Sequence, residues 1–468
     1  MGISGDTIAT PVVIPLHPAP DPLAVFGAVR HLPCPLLLES AGPVAGHSRY
    51  SYLMAGPRKV VRSRAHPGVL DELRAQIAVQ AFAMIPGLPP FQGGLAGYLS
   101  YELGASLEQV PPAGSDAARG PDVLMGVYDW VVTWDRVTGS CWLIDHRADA
   151  GAAAALSRDL LANGRIAVRP YNSTTRDPRP ASHVSRPAPD DRRPTTDDLH
   201  STFTRPAYQH AVQRIRDYIL AGDVFQVNLS QRFSLPSTCD CLELYQRLRA
   251  RSPAPFSACF DAGDHQVLSI SPELFLALDG ARVETRPIKG TRPRGATPEA
   301  DTALAAELLA SEKDRSENVM IVDLLRNDLS RVARPGSVVV PALCALESHP
   351  TVHHLVSTVE ARLEPGRDAF DLLAATLPGG SITGAPKVRA MQIIRELEPV
   401  PRGVYCGAIG YISWQGDMRM SVAIRTLSRR DGVAHIHAGG GVVLGSDPAA
   451  EYEETLDKAR ALLQATAE

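Results

Sequence analysis

The chain has 468 residues, a formal net charge of -4, and 44% hydrophobic and 21% charged residues. That length suits two or three domains with a core that needs no disulfide or metal staple, and the mild acidity argues against a dedicated nucleic-acid binder. Seven scattered cysteines without a C-x-x-C pair argue against a disulfide framework or a zinc ribbon, and for a reducing cytoplasm.

The start, MGISGDTIATPVVIPLHPAP, has no basic region followed by an apolar one, so no signal peptide is expected. No apolar run approaches the ~20 residues of a membrane span. Short strand-like runs come first: CPLLLES, RYSYLMAG, GLAGYLSYE, VYDWVVTWD and SCWLIDH, separated by Gly/Pro turns. The Ala-rich DAGAAAALSRDLLANG that follows predicts a helix. Residues 164–200 are rich in Pro, Arg, Asp, Ser and Thr, with almost no large apolar side chain after Val168. Such a stretch cannot bury enough surface to offset its ordering entropy, and it reads as a flexible linker. It divides a β-rich entry domain, 1–163, from a second domain, 201–468.

Beyond the linker, RPAYQHAVQRIRDYILAGD has the apolar spacing of a helix, with Gly222 at its end. VFQVNLSQRFSL, HQVLSISPELFLAL, ARVETRPI, GAIGYISW, MRMSVAIRTLSRR and AHIHAGGGVV read as strands. EADTALAAELLASEKDRSENVMIVDLLRNDL reads as one or two helices. Strands come in blocks instead of alternating with helices, which predicts an α+β fold with large, mostly antiparallel sheets packed against helices.

Two helices carry paired carboxylates. Asp314 and Glu317 are three apart and share a face. In SDPAAEYEETLDKARALL, Asp447 caps and Pro448 opens a helix that puts Glu451, Glu454 and Lys458 on one side. Four carboxylates could hold a hard divalent cation; equally, each face could be a solvated set of ion pairs. PGGSITGAPK (378–387) and HAGGGVVLG (437–445) could seat an anion on bare backbone N–H groups, or simply make turns. Helix-like VRAMQIIREL follows the first of them.

Taken in order, DVFQVNLSQRF, SISPELFL, RPIKGTRPRG, KDRSENVMIVDLLRND, HHLVSTV, PGGSITGAPK, GAIGYIS, SVAIRT, HAGGGVV and EYEETLDKA resemble the chorismate-utilising enzymes over nearly all of 201–468. The resemblance implies that family's fold, chorismate as substrate and Mg2+ as cofactor. It implies Glu317 and Glu454 as metal ligands, with Asp314 and Glu451 behind them or linked through water. Tyr411, Arg425, Gly439, Gly440, Gly441 and Lys458 would bind substrate carboxylates, and Thr383 and Gly384 would line the pocket. His354 would sit beside the reacting ring, and Glu273 would protonate the departing 4-hydroxyl, which requires a raised pKa. LLLES, with Ser40, and SRYSYL resemble the tryptophan-binding element of the anthranilate synthases, which implies a tryptophan pocket.

Two positions separate the family's branches. The water-adding branches carry a lysine base where this chain has Gln226, and a neutral amide cannot activate water. Anthranilate synthases have alanine in P-I-A-G-T, where this chain has Lys289. Synthases of the P-I-K-G-T type use that lysine as a nucleophile to aminate ring carbon 4, giving 4-amino-4-deoxychorismate. Burial and the neighbouring arginines would lower the lysine pKa. Spacing suggests that Glu273 and Lys289 lie on one hairpin across the site. The chain has no Gly-x-Cys-x-Gly elbow, so ammonia would come from a separate glutamine amidotransferase, and a separate lyase would act on the product. The alternatives are anthranilate formation and, from another class, a catalytically inactive regulatory or binding subunit.

Overall fold

The computed structural model describes residues 10–467 except 43–45, 67, 79–81, 83, 109, 113, 148, 164–198 and 350–351. Most of the expected linker therefore lies outside the described residues; His200 belongs to a two-residue strand, His200–Ser201.

Among the described residues the strands form two antiparallel sheets. The twelve-stranded sheet runs Val12–Pro15, Ser140–Asp145, Trp130–Asp135, Tyr50–Met54, Leu36–Glu39, Phe256–Asp261, His265–Ser271, Thr426–Arg430, Val433–Val442, Gln226–Pro236, Gly384–Ala385, with His200–Ser201 also on Gln226–Pro236. The ten-stranded sheet runs Ile288–Pro293, Val352–Arg362, Arg282–Arg286, Leu274–Asp279, Met418–Val422, Ala408–Ser413, Gly94–Leu99, Val123–Tyr128, Lys59–Ser63, with Val339–Ser348 also on Val352–Arg362. Each sheet draws strands from both sides of 164–198. Leu36–Glu39 pairs with Phe256–Asp261, and Gly94–Leu99 with Ala408–Ser413.

The sheets pack face to face. Leu36, Tyr52 and Phe260 of one meet Tyr98, Leu124 and Tyr411 of the other in a shared apolar layer. Their outer faces are covered by helices. Leu37 and Leu53 face Phe26, Leu244 and Leu462, while Leu99 and Met125 face Leu73, Leu103 and Ile394. Successive residues of a strand point to opposite faces, so Leu36 and Leu37 serve different layers. This double coverage is why LLLE, VLMGVY and WVVTWD are apolar nearly throughout instead of alternating with polar residues.

Three runs that read as single strands change sheets midway. VYDWVVTWD does so at Asp129, SISPELFL at Pro272-Glu273, and MSVAIRTL at Ala423 to Arg425. The last two crossings are neighbours: Val422 N–H donates to Glu273 O at 3.1 Å, and Ile270 N–H donates to Arg425 O at 3.1 Å. Arg425 makes its crossing at φ +50°, in the left-handed region seldom used by a non-glycine residue. Proline at 272 lacks a backbone donor, which suits it to a strand break.

Five helices escaped the sequence reading: Pro22–Val29, Val69–Ala78, Tyr101–Leu107, Cys241–Arg251 and Ala369–Thr376. Three of them begin at an aspartate whose carboxylate accepts from the first turn, namely Asp21, Asp240 and Asp368. Asp447 caps Pro448–Ala467 as expected, accepting from Ala449 and Ala450 N–H at 3.0 and 2.9 Å.

Candidate active site

A cavity of about 520 Å³ opens beside the two adjacent crossings. Its wall includes Glu273, Lys289, Asp314, Glu317, His354, Arg425, Gly439, Gly441, Glu451, Glu454 and Lys458. Eleven residues singled out from sequence, separated by up to 185 positions, thus meet around one space.

Lys289 lies on the strand Ile288–Pro293. Glu273 sits in the crossing before Leu274–Asp279. The expected single hairpin is not what joins them. Leu274–Asp279 pairs with Arg282–Arg286, and the lysine strand continues past that hairpin to pair with Val352–Arg362. The acid and the amine therefore flank the open end of the hairpin. Lys289 Nζ donates to Ser381 O at 3.0 Å. The pKa of Lys289 is lowered by burial, against the pull of Glu317 and Glu273. Among the charges that act most on it, Lys458 adds to the lowering, and none of the neighbouring arginines is one of them. Each of these arginines is held by its own carboxylate: Arg286 by Glu347, Arg292 by Glu307 and Asp314, and Arg294 by Asp301.

Glu273 is 5% exposed. Burial pushes its pKa up to about 7, opposed by the Ser381 hydroxyl and the Lys289 ammonium. Burial thus favours the neutral form of each group: an acid able to donate and an amine able to attack. His354 stands opposite Thr291 in the strand register, and its Nδ1 is 2.9 Å from Thr291 Oγ1. Burial, with His349 and Arg425 adding to it, pushes His354 down to about 4, so it is neutral at pH 7.

Two helices bring in the carboxylates. Glu312–Ser330 starts at Ser311, whose hydroxyl accepts from Asp314 N–H at 3.3 Å, so the first turns of the helix face the cavity. Burial raises Glu317. Pro448–Ala467 supplies Glu451, Glu454 and Lys458. Burial raises Glu451, against the Ser446 hydroxyl that donates to its Oε1 at 2.6 Å. Burial also opposes ionisation of Glu454, but Lys458, 2.5 Å away, outweighs it and the pKa falls. A Cβ on Gly440 would sit 3.1 Å from Glu451 Oε2 and 3.2 Å from Glu454 Oε1. Glycine there lets both carboxylates close on the strand.

Among the described residues no three His, Cys, Asp or Glu side chains are gathered as a ready-made ion site. Magnesium asks for less, since one or two carboxylates, waters and substrate oxygens complete its shell. The donors fit that demand. Glu451 Oε2 is buried with no hydrogen-bond partner, and Glu317 and Glu454 face the same space from different helices.

Arg425 has no side-chain hydrogen bond or ion pair among the described residues, and burial lowers its pKa. A guanidinium that lines a cavity without a partner can accept a carboxylate there. Thr383, Gly384, Gly440 and Tyr411 do not line the cavity. Thr383 is fully buried behind it, donating to Gly379 O at 3.1 Å. Gly384, at φ +138°, leans on the Gln226 carbonyl, which a Cβ would meet at 2.1 Å. Tyr411 lies between the sheets against Tyr52 and Phe91. It faces a second cavity with Ser40, Tyr50 and Phe256. In its place, Tyr405 lines the first cavity with His437 stacked on it, ring centres 5.2 Å apart. Both tyrosines belong to the VYCGAIGY run, and pattern alone does not tell them apart. Asn228, Ser381, Arg292 and Lys313 also line the cavity without having been singled out.

Together the fold and the cavity define an α+β enzyme with a buried acid, an amine, a cluster of carboxylates and an unpaired guanidinium around one space. Residues 37–464 match the family model of chorismate binding enzymes, and the chain belongs to that family. It acts on chorismate, as the family does. It is 40% identical over 471 residues to aminodeoxychorismate synthase component 1 of Salmonella typhimurium, covering 97% of this chain and 98% of the relative. It is also 40% identical over 466 residues to anthranilate synthase component 1 of Pseudomonas putida, covering 95% and 92%. Among solved structures it resembles anthranilate synthase component I of Streptococcus pneumoniae, with a TM-score of 0.75 and 31% identity over 90% of this chain and 93% of that one. The menaquinone-specific isochorismate synthase of Escherichia coli shares the fold, with a TM-score of 0.71 at 19% identity, covering 99% and 97%.

Proposed function

We propose that this chain is the large component of an aminodeoxychorismate synthase, converting chorismate and ammonia to 4-amino-4-deoxychorismate. The observation that carries the reading is the Lys289 amine inside the cavity with Glu273, each biased by burial towards its neutral form. Neutral Lys289 attacks ring carbon 2 as the double bonds shift. The 4-hydroxyl leaves as water with the proton from Glu273. Ammonia then adds at carbon 4, the double bonds return, and Lys289 departs from carbon 2. One difficult displacement becomes two easier ones. Arg425 and Lys458 hold substrate carboxylate, and neutral His354 lies beside the ring.

Glu317 and Glu454 would hold Mg2+, with Asp314 and Glu451 supporting them. When bound, the ion would neutralise a ring carboxylate and fix its orientation. The "component 1" in the relatives' names supports a second component here, a separate glutamine amidotransferase that releases ammonia. A cytoplasmic setting is supported by the seven cysteines, all free thiols. No described helix is long and apolar enough to cross a membrane.

Anthranilate formation is the second reading, favoured by relatives of equal identity that carry that name. Incubation of the chain with chorismate, ammonium and Mg2+ separates the two. The expected product is an amino-cyclohexadiene that yields 4-aminobenzoate only after a lyase is added, and EDTA stops its formation. Anthranilate with equimolar pyruvate would overturn the proposal, and absence of any chorismate turnover would favour an inactive subunit.

The second cavity supports an aromatic amino-acid pocket. Ser40 Oγ donates to Tyr50 O at 2.9 Å, which fixes one wall, while Tyr52, Phe256 and Tyr411 supply apolar faces. Calorimetric titration with L-tryptophan is expected to show saturable binding that Ser40→Phe removes by filling the space. Identical heats from wild type and variant would refute the assignment.

A further inference from the structure

We infer that Arg402 is a positioning residue that holds the Lys289 amine on its line of attack. The inference rests on the nucleophile reading of Lys289. Arg402 lies outside the cavity wall, and its side chain is 1% exposed. Four hydrogen bonds use four of its five N–H donors. Nε and Nη2 clamp Glu398 at 2.9 and 2.6 Å, Nη1 donates to Ile382 O at 2.9 Å, and Nη2 donates to Asn228 O at 2.7 Å.

Those two carbonyls belong to different walls of the cavity. Ile382 adjoins Ser381, whose carbonyl is the acceptor for Lys289 Nζ. Asn228 belongs to the strand Gln226–Pro236, and its side-chain amide donates to the same Ile382 O at 3.1 Å. Its backbone N–H donates to Thr383 O at 2.8 Å. The guanidinium also lies over the Tyr101 ring at 4.7 Å and within 5.9 Å of Tyr405. The clamp is itself tied down. Glu398 accepts from Ser230 N–H and Oγ–H at 2.8 and 2.9 Å, and the Arg402 N–H donates to Glu102 at 2.8 Å.

One planar fork therefore fixes residues 381–383 against the strand that faces them. Without it, residues 381–383 would be held to that strand only by the two Asn228 amide bonds, and the Ser381 carbonyl that orients the amine would be less firmly placed. A lysine at 402 would keep the charge for Glu398 but could not span both carbonyls. Because a misplacement near 1 Å can cost about 10²-fold in rate, the aim of the amine should suffer more than substrate binding.

The test uses Arg402→Lys in the full chain. Enzyme is mixed with chorismate and Mg2+ without ammonia, quenched at intervals, and the mass of the Lys289 adduct is followed. The expected result is adduct formation slowed between about tenfold and about 10²-fold, with the KM for chorismate within about threefold of wild type. An unchanged adduct rate would overturn the inference. A KM that rises as far as the rate falls would also overturn it, since Arg402 would then shape the whole cavity. An adduct absent from wild type itself would strike at the Lys289 reading, and the inference would fall with it. If Arg402→Lys does not fold, Glu398→Gln, which weakens one side of the clamp, is measured in the same way. A severalfold slower adduct supports the inference, and no change refutes it.

Discussion

Lys289→Ala is expected to abolish formation of 4-amino-4-deoxychorismate, by a factor on the order of 10³ or more, equivalent to at least ~4 kcal/mol of barrier. Alanine leaves the strand intact, since Ile288–Pro293 is held by backbone pairing to Val352–Arg362. Chorismate should still bind, because Arg425, Lys458 and the carboxylates are untouched. What disappears is the covalent step, and with it the route that directs ammonia to carbon 4. Ammonia adding directly at carbon 2 makes anthranilate the expected residual product. Chromatography of the products, with and without a lyase, reads both outcomes. Undiminished aminodeoxychorismate from the variant would show that the lysine is not the nucleophile.

Glu273→Gln should lower turnover by about 10²–10⁴-fold, the usual range for a lost general acid. The amide fits the same space but has no acidic proton to give the departing hydroxyl. The pH profile supplies a sharper test. Burial raises the Glu273 pKa from 4.5 to about 7, so the protonated acid dominates below pH 7 and is lost above it. Lys289 runs the other way, its neutral amine increasing as pH rises. A bell-shaped profile results, whose apparent pKa values belong to the pair as a unit. In Glu273→Gln the residual rate should lose its high-pH decline and keep only the rise. A variant with an unaltered high-pH limb would mean that another group supplies the proton.

Much of the fold class was legible because strands clustered in blocks, and much of the cavity because several motifs could be recognised in order. What escaped has physical causes. Strands covered on both faces lose the alternation that marks them, as LLLE and VLMGVY do, so their pairing could not be read. The changes of sheet at Glu273 and Arg425 occur within runs that look continuous, because the strand character is interrupted for only two or three residues. The hairpin expected to join Glu273 to Lys289 ends at Leu274 and Arg286, and Lys289 lies beyond it on a strand paired with a distant one, Val352–Arg362. Tyr405 was missed in favour of Tyr411 because Tyr405 lies in the turn before the strand Ala408–Ser413, where strand patterning gives no signal. Arg402 gave no local signal, since its partners lie at Asn228, Ile382 and Glu398, two of them far away in sequence.

The sharing of both sheets across residues 164–198 bears on how the molecule folds. Cut at that point, the first half would present Leu36–Glu39 and Gly94–Leu99 as raw edges, and the second half Phe256–Asp261 and Ala408–Ser413. Such edges invite aggregation, and neither half could seal the apolar layer between the sheets. The two stretches of polypeptide therefore have no independent stability to exchange. They are expected to gain and lose structure as one cooperative body, and the cavity forms only once Gln226–Pro236 has met Val433–Val442, with Asn228 opposite Gly441 more than two hundred residues on.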